Sequence, residues 1–132
     1  GVRKAMELAK ERGAKLVKEL QVSGAFHSPL MESAKMGLKS ALEKTEIKDA
    51  GIPVYANVTA KPVQKAADIR ELLVQQLTSP VRWEESVRNM AAAGVTQFVE
   101  IGPGKVLQGL VKRIAPNTEI KGLEKIADIT QS

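Results

Sequence analysis

The chain has 132 residues, 43% of them hydrophobic and only 3% aromatic, so it is one domain or a large part of one, with an aliphatic core. With no cysteine and one histidine, disulfide frameworks, thiolate zinc sites and multi-histidine metal centres within the chain are excluded. Twenty Lys and Arg against fifteen Asp and Glu give a net charge of +5, which favours acidic partners without choosing among them.

In chain order, Val2, Ala5, Met6, Leu8 and Ala9 recur at helical spacing, and Gly13 is placed to stop that helix. Lys15 to Val22 reads as a short strand, followed by a loop from Ser23 to His27. Ser28 is an expected N-cap and Pro29 suits the first helical position. The helix they open carries Leu30, Ala34, Leu38, Ala41 and Leu42 on one face and runs to about Lys44. Ile52 to Ala56 looks like a buried strand ending at Asn57. Asp68 and Glu71 have capping-box spacing at the start of a helix through Leu77. Ser79-Pro80 repeats the Ser-Pro start, here before a helix from Val81 to about Ala93 that Gly94 ends. Phe98 to Ile101 is a compact strand, and Gly102-Pro103-Gly104 a sharp turn. Val106, Leu107, Leu110, Val111 and Ile114 form the apolar face of a further helix, with a last strand expected over Thr118 to Lys121.

Alternating strands and helices make the class α/β, with βα crossovers on a mainly parallel sheet in the later part. The plausible boundary lies between Ser23 and Ser28. The chain opens on a helix with no strand before it, which suggests a βα unit whose strand lies upstream. No apolar run approaches the ~20 residues of a membrane span, and the charged opening helix does not read as a signal peptide.

His27 is the one candidate for acid–base chemistry. A loop immediately before a helix holds it on a rigid support, and the positive end of that helix disfavours imidazolium. The expectation is the neutral imidazole that a general base requires. Its nucleophile is missing: there is no cysteine and no Gly-x-Ser-x-Gly elbow, and Ser28 reads better as a cap. Gly102-Pro103-Gly104-Lys105 lacks the spacing of a phosphate loop and reads as a tight strand-to-helix turn. Nucleic-acid binding has no support, since aromatics to stack on bases are few.

Several separated segments together resemble the malonyl-CoA:acyl carrier protein transacylase family. Gly24-Ala25-Phe26-His27-Ser28-Pro29-Leu30-Met31 resembles its active-site histidine segment, and Tyr55-Ala56-Asn57-Val58-Thr59 the strand end that follows. Leu73-Val74-Gln75-Gln76-Leu77 with Ser79-Pro80-Val81-Arg82-Trp83 is similar to the next helix pair. Phe98 to Leu107 with Lys112-Arg113-Ile114 matches the closing strand, turn and helix.

The resemblance implies a serine–histidine dyad, with His27 as base and the serine outside this chain. A backbone carbonyl at Gln76 would hold the imidazole in its working tautomer, doing what the acid does in a triad. Phe26 and Asn57 would border the substrate pocket; in related domains Ala-Phe-His favours malonyl and Ala-Ser-His methylmalonyl. Lys15, Lys18, Lys112 and Arg113 would meet the acidic carrier protein. The implied protein is a cytoplasmic enzyme of fatty acid synthesis, with malonyl-CoA as substrate, phosphopantetheine on its carrier partner, and no metal or resident cofactor. Residues 1–22 would end a small ferredoxin-like subdomain, and residues 23–132 would be the C-terminal part of an α/β-hydrolase-like core, inactive without the missing N-terminal portion. Two other readings compete: a fragment of a polyketide synthase acyltransferase domain, and a non-catalytic carrier-binding module.

Overall fold

The computed structural model describes residues 1–19 and 24–130. It is mixed α/β, as expected. Helix α1 spans Val2–Glu11 and stops where glycine permits it to. Gly13 adopts φ +86, and the Gly13 and Ala14 N–H groups return to Lys10 O and Ala9 O, closing the last carbonyls in a Schellman motif. Of the strand expected from Lys15 to Val22, residues 15–19 pair with no strand among the described residues. The rest of that stretch, Leu20 to Val22, and Ser23 lie outside them.

The Ser28-Pro29 start is local chemistry and holds. Ser28 Oγ accepts from Leu30 N–H at 3.3 Å and donates to Ala25 O at 2.7 Å. It first opens a 3-10 turn, Pro29–Met31, which runs straight into α2, Glu32–Lys44. Leu30 is 79% exposed, so it does not belong to the helix's inward face.

Strand β1 is Val54–Ala56, two residues shorter at its start than expected, and it pairs antiparallel with β2, Lys61–Val63. The sequence hides β2 because its centre is Pro62, which cannot donate to a ladder and suits only an edge. The turn between them places Ala60, fully buried, at φ 55. Asn89 Nδ2 donates to Ala60 O at 2.7 Å and pins that left-handed residue.

Helix α3, Ala66–Gln76, starts before Asp68, so the expected capping box is absent. Glu71 instead accepts from Gln75 Nε2 at 2.8 Å. The cap comes from far away in sequence: Asp49 accepts the Ala66 N–H and the Lys65 ammonium, each at 2.8 Å. The Lys65 hydrogen bond, then the Ala66 N–H, hold the Asp49 carboxyl below its ordinary range.

Helix α4, Trp83–Ala92, begins two residues later than expected, and Ser79-Pro80 does not open it. Its N-cap is Arg82, whose N–H donates to Asn57 O at 3.1 Å. Gly94, at φ +94, ends it as expected, with Gly94 N–H on Ala91 O and Val95 N–H on Met90 O.

The last unit is a βαβ crossover. Strand β3, Gln97–Ile101, leads through α5, Val106–Ile114, to β4, Glu119–Leu123. The strands are parallel, in register from Gln97 opposite Glu119 to Ile101 opposite Leu123. β4 therefore runs two residues past the expected Lys121. A short α6, Ile126–Thr130, follows. Val87, Val111 and Ala115 form the buried cluster between α4 and α5, with Trp83, Phe98 and Ile120 against it. Gly122 on β4 leaves room for the end of the Gln108 side chain, whose Nε2 would lie 2.3 Å from a Cβ there. The parallel expectation holds for β3–β4 only; the two sheets are separate, and β1–β2 is antiparallel. No helix among the described residues is long and apolar enough to cross a membrane.

Candidate active site

His27 sits at φ 60, a left-handed conformation costly for a residue with a Cβ. The loop carrying it is fixed on one side by the Ser28 cap. On the other side the ring reaches 49 residues along the chain to the end of α3, where Nδ1 lies 3.1 Å from Gln76 O. That carbonyl is one of those left without a partner inside the helix at its C-terminus, where the partial charge is negative and a second donor beside the Ser79 N–H is welcome. When Nδ1 carries the proton and donates to Gln76 O, the lone pair belongs to Nε2, which can then accept a proton. Among the described residues Nε2 has no partner, and His27 is exposed.

The Gln76 side chain also reaches the ring: its Nε2 lies 3.2 Å from His27 Nδ1 and 3.2 Å from Ser79 O. Nothing in the sequence pattern marks this second contact. Ser28, the nearest described hydroxyl in sequence, is occupied as a cap.

Phe26 and Asn57 stand in different surroundings. Phe26 is 57% exposed and leans over Gly24, where a Cβ would meet the ring at 3.0 Å. Asn57 is half-buried and lines a cavity of about 230 Å3 with Tyr55, Val63, Ile69 and Leu72. Phe26 is not among those residues. Arg82 anchors the Asn57 turn. Besides its N–H on Asn57 O, its Nη1 lies 3.4 Å from both Val58 O and Thr59 O. The remainder of its guanidinium grips Glu85, whose carboxyl it holds below the ordinary range. The sequence places Arg82 in the Ser79-Pro80-Val81-Arg82-Trp83 segment but gives it no task.

Lys15 and Lys18 follow α1, and Lys112 and Arg113 stand in the last turn of α5; all four are exposed. None is in an ion pair among the described residues. The Gly102-Pro103-Gly104-Lys105 turn is closed to phosphate for a physical reason. Glu100 already accepts two N–H groups of the first turn of α5, Leu107 and Gln108, at 3.2 Å each, and sets a carboxylate where an anion would have to bind.

Comparison with known proteins places the chain in a family. The acyl transferase domain family matches residues 1–127. The malonyl CoA-acyl carrier protein transacylase of Bacillus subtilis (strain 168) is 56% identical over 114 residues, covering 86% of this chain and 36% of that protein. The Haemophilus influenzae protein of the same name is 43% identical over 126 residues, 96% of this chain and 40% of its own length. Among solved structures, an acyl carrier protein S-malonyltransferase from Vibrio cholerae superposes with a TM-score of 0.88 at 40% identity, over 98% of this chain and 42% of that one. A malonyl-transacylase solved in complex with its type II PKS acyl-carrier protein gives the same TM-score, identity and coverage. The chain thus spans about two fifths of the length of the relatives it matches. With nearly its whole length matched, the chain belongs to the acyl transferase domain family.

Proposed function

We propose that the chain is the C-terminal portion of a malonyl-CoA:acyl carrier protein transacylase, with His27 as its general base. The observation that carries this reading is the 3.1 Å contact between His27 Nδ1 and Gln76 O, which leaves Nε2 free for proton transfer. A serine from the rest of the protein attacks the thioester carbonyl of malonyl-CoA, and its Oγ proton passes to His27 Nε2. Collapse of the tetrahedral adduct breaks the C–S bond, and the departing coenzyme A thiolate takes that proton back. In the second half the phosphopantetheine thiol gives its proton to Nε2 and attacks the serine ester. The C–O bond breaks, and the serine recovers its proton from His27. The Gln76 carbonyl keeps Nδ1 protonated throughout.

Residues 23–132 are read as part of an α/β-hydrolase-like core, and residues 1–22 as the end of a ferredoxin-like subdomain. Val99 and Ile101, two apart on β3, are 43% and 70% exposed, and an apolar strand face of this kind supports further chain packing against it. Lys15, Lys18, Lys112 and Arg113 remain free to meet an acidic carrier protein in a cytoplasmic enzyme of fatty acid synthesis.

The test supplies the upstream part of the enzyme to residues 1–132 and assays malonyl transfer from malonyl-CoA to carrier protein. Transfer appears only in the combined protein. Transfer by residues 1–132 alone, or carrier binding without chemistry in the combined protein, overturns the reading. Phe26 and Asn57 border the substrate, and in the same assay Phe26→Ser weakens the preference for malonyl over methylmalonyl by about tenfold, the worth of one methyl in an apolar pocket. An unchanged ratio of the two kcat/KM values removes Phe26 from specificity.

A further inference from the structure

The chemistry above uses only the main chain of Gln76, yet its side chain is held against the same ring nitrogen. His27 Nδ1 stands 3.1 Å from Gln76 O and 3.2 Å from Gln76 Nε2. A single nitrogen cannot serve both. Bearing a proton it donates to the carbonyl; bare, it accepts from the amide. Reversing the amide does not remove the conflict, because Gln76 Nε2 also donates to Ser79 O at 3.2 Å. A reversed amide would set Oε1 against that carbonyl, two acceptors face to face. Ser79 O therefore keeps the amide nitrogen turned to the ring.

We propose that the Gln76 side-chain amide is a positioning group that competes with Gln76's own carbonyl for His27 Nδ1 and so sets the tautomer balance of the imidazole. In the tautomer favoured by the amide, the proton sits on Nε2, where it blocks acceptance of a proton from a nucleophile. In the tautomer favoured by the carbonyl, Nε2 is bare and competent. The catalytic meaning of this balance rests on His27 being the base; the balance itself does not.

His27 is the only histidine, so its ring signals are unambiguous in a long-range proton–nitrogen correlation spectrum of the full 132-residue chain. In alkaline buffer, where the ring is neutral, the nitrogen shifts report the two tautomers directly. Gln76→Met removes the amide and keeps the carbonyl, and the ratio of Nδ1–H to Nε2–H rises by about fivefold, the worth of one hydrogen bond. Gln76→Glu, with acceptors alone at that end, moves the ratio further in the same direction. Should the Met variant disturb the backbone amide spectrum, the Glu variant decides. A ratio that stays put or falls in the deciding variant overturns the proposal, while leaving the transfer assay of His27→Ala to judge the base separately.

Discussion

If His27 is the base of the proposed transacylase, alanine in its place lowers malonyl transfer by the intact enzyme by about 10²–10⁴-fold, the range for loss of a positioned general base. The melting transition stays where it was. The second half of that expectation follows from what the ring touches. His27 is exposed, so truncation opens no cavity. Its acceptor is not orphaned either, because Gln76 O also receives the Ser79 N–H at 3.3 Å. The left-handed backbone at φ 60 burdens alanine as it burdens histidine, since both carry a Cβ. His27→Gly relieves that strain and offsets it with a more flexible unfolded chain, so it too remains folded and inactive. Transfer within tenfold of the parent enzyme, in either folded variant, removes His27 from the proton path. Loss of transfer together with loss of the melting transition makes it structural instead.

What the sequence revealed and what it concealed divide by the distance over which each signal acts. The glycine stops at Gly13 and Gly94 and the Ser28 cap are settled within five or six residues of backbone, so the local pattern suffices to find them. The start of α3 is not local: Asp49 reaches across 17 residues to the Ala66 N–H, and the Asp68–Glu71 spacing, though sound, is not used. Likewise α4 waits for Arg82 because the Asn57 carbonyl takes the Arg82 N–H, a partner that no reading of Ser79-Pro80 reveals. Strand β2 escapes because Pro62 disguises it, and residues 15–19 pair with no strand among the described residues. At the site, the resemblance pointed to the Gln76 carbonyl, and the ring does meet it at 3.1 Å. The amide of the same residue could not be anticipated. Its direction is set by Ser79 O, a main-chain group with no identity in the sequence.

Val87→Ala destabilises the chain by about 2–3 kcal/mol, from two lost methylenes at ~0.8 kcal/mol each and the cavity left behind. The size of the effect follows from how few side chains carry the core. Among the described residues, the buried hydrophobics are Ala60, Val87, Val111 and Ala115, and Val87 is the largest side chain with no exposure. It joins α4 to α5 against Trp83, Phe98 and Ile120, and the alternatives for filling its space are small. In residues 1–132 alone, where Val99 is 43% exposed, Val99→Ala costs under about 0.5 kcal/mol as a surface change. Denaturant unfolding of the two variants compares them directly, and equal losses would mean that the α4–α5 contact is not the core. The consequence reaches the candidate site through α4 itself. Arg82, the N-cap of that helix, holds the carbonyls of Asn57, Val58 and Thr59. Once α4 loosens, the Asn57 wall of its cavity loses its anchor before His27 does, because the His27 contact belongs to the end of α3. Val87→Ala in the intact enzyme should therefore raise KM for malonyl-CoA more than it lowers kcat, the reverse of the His27→Ala pattern.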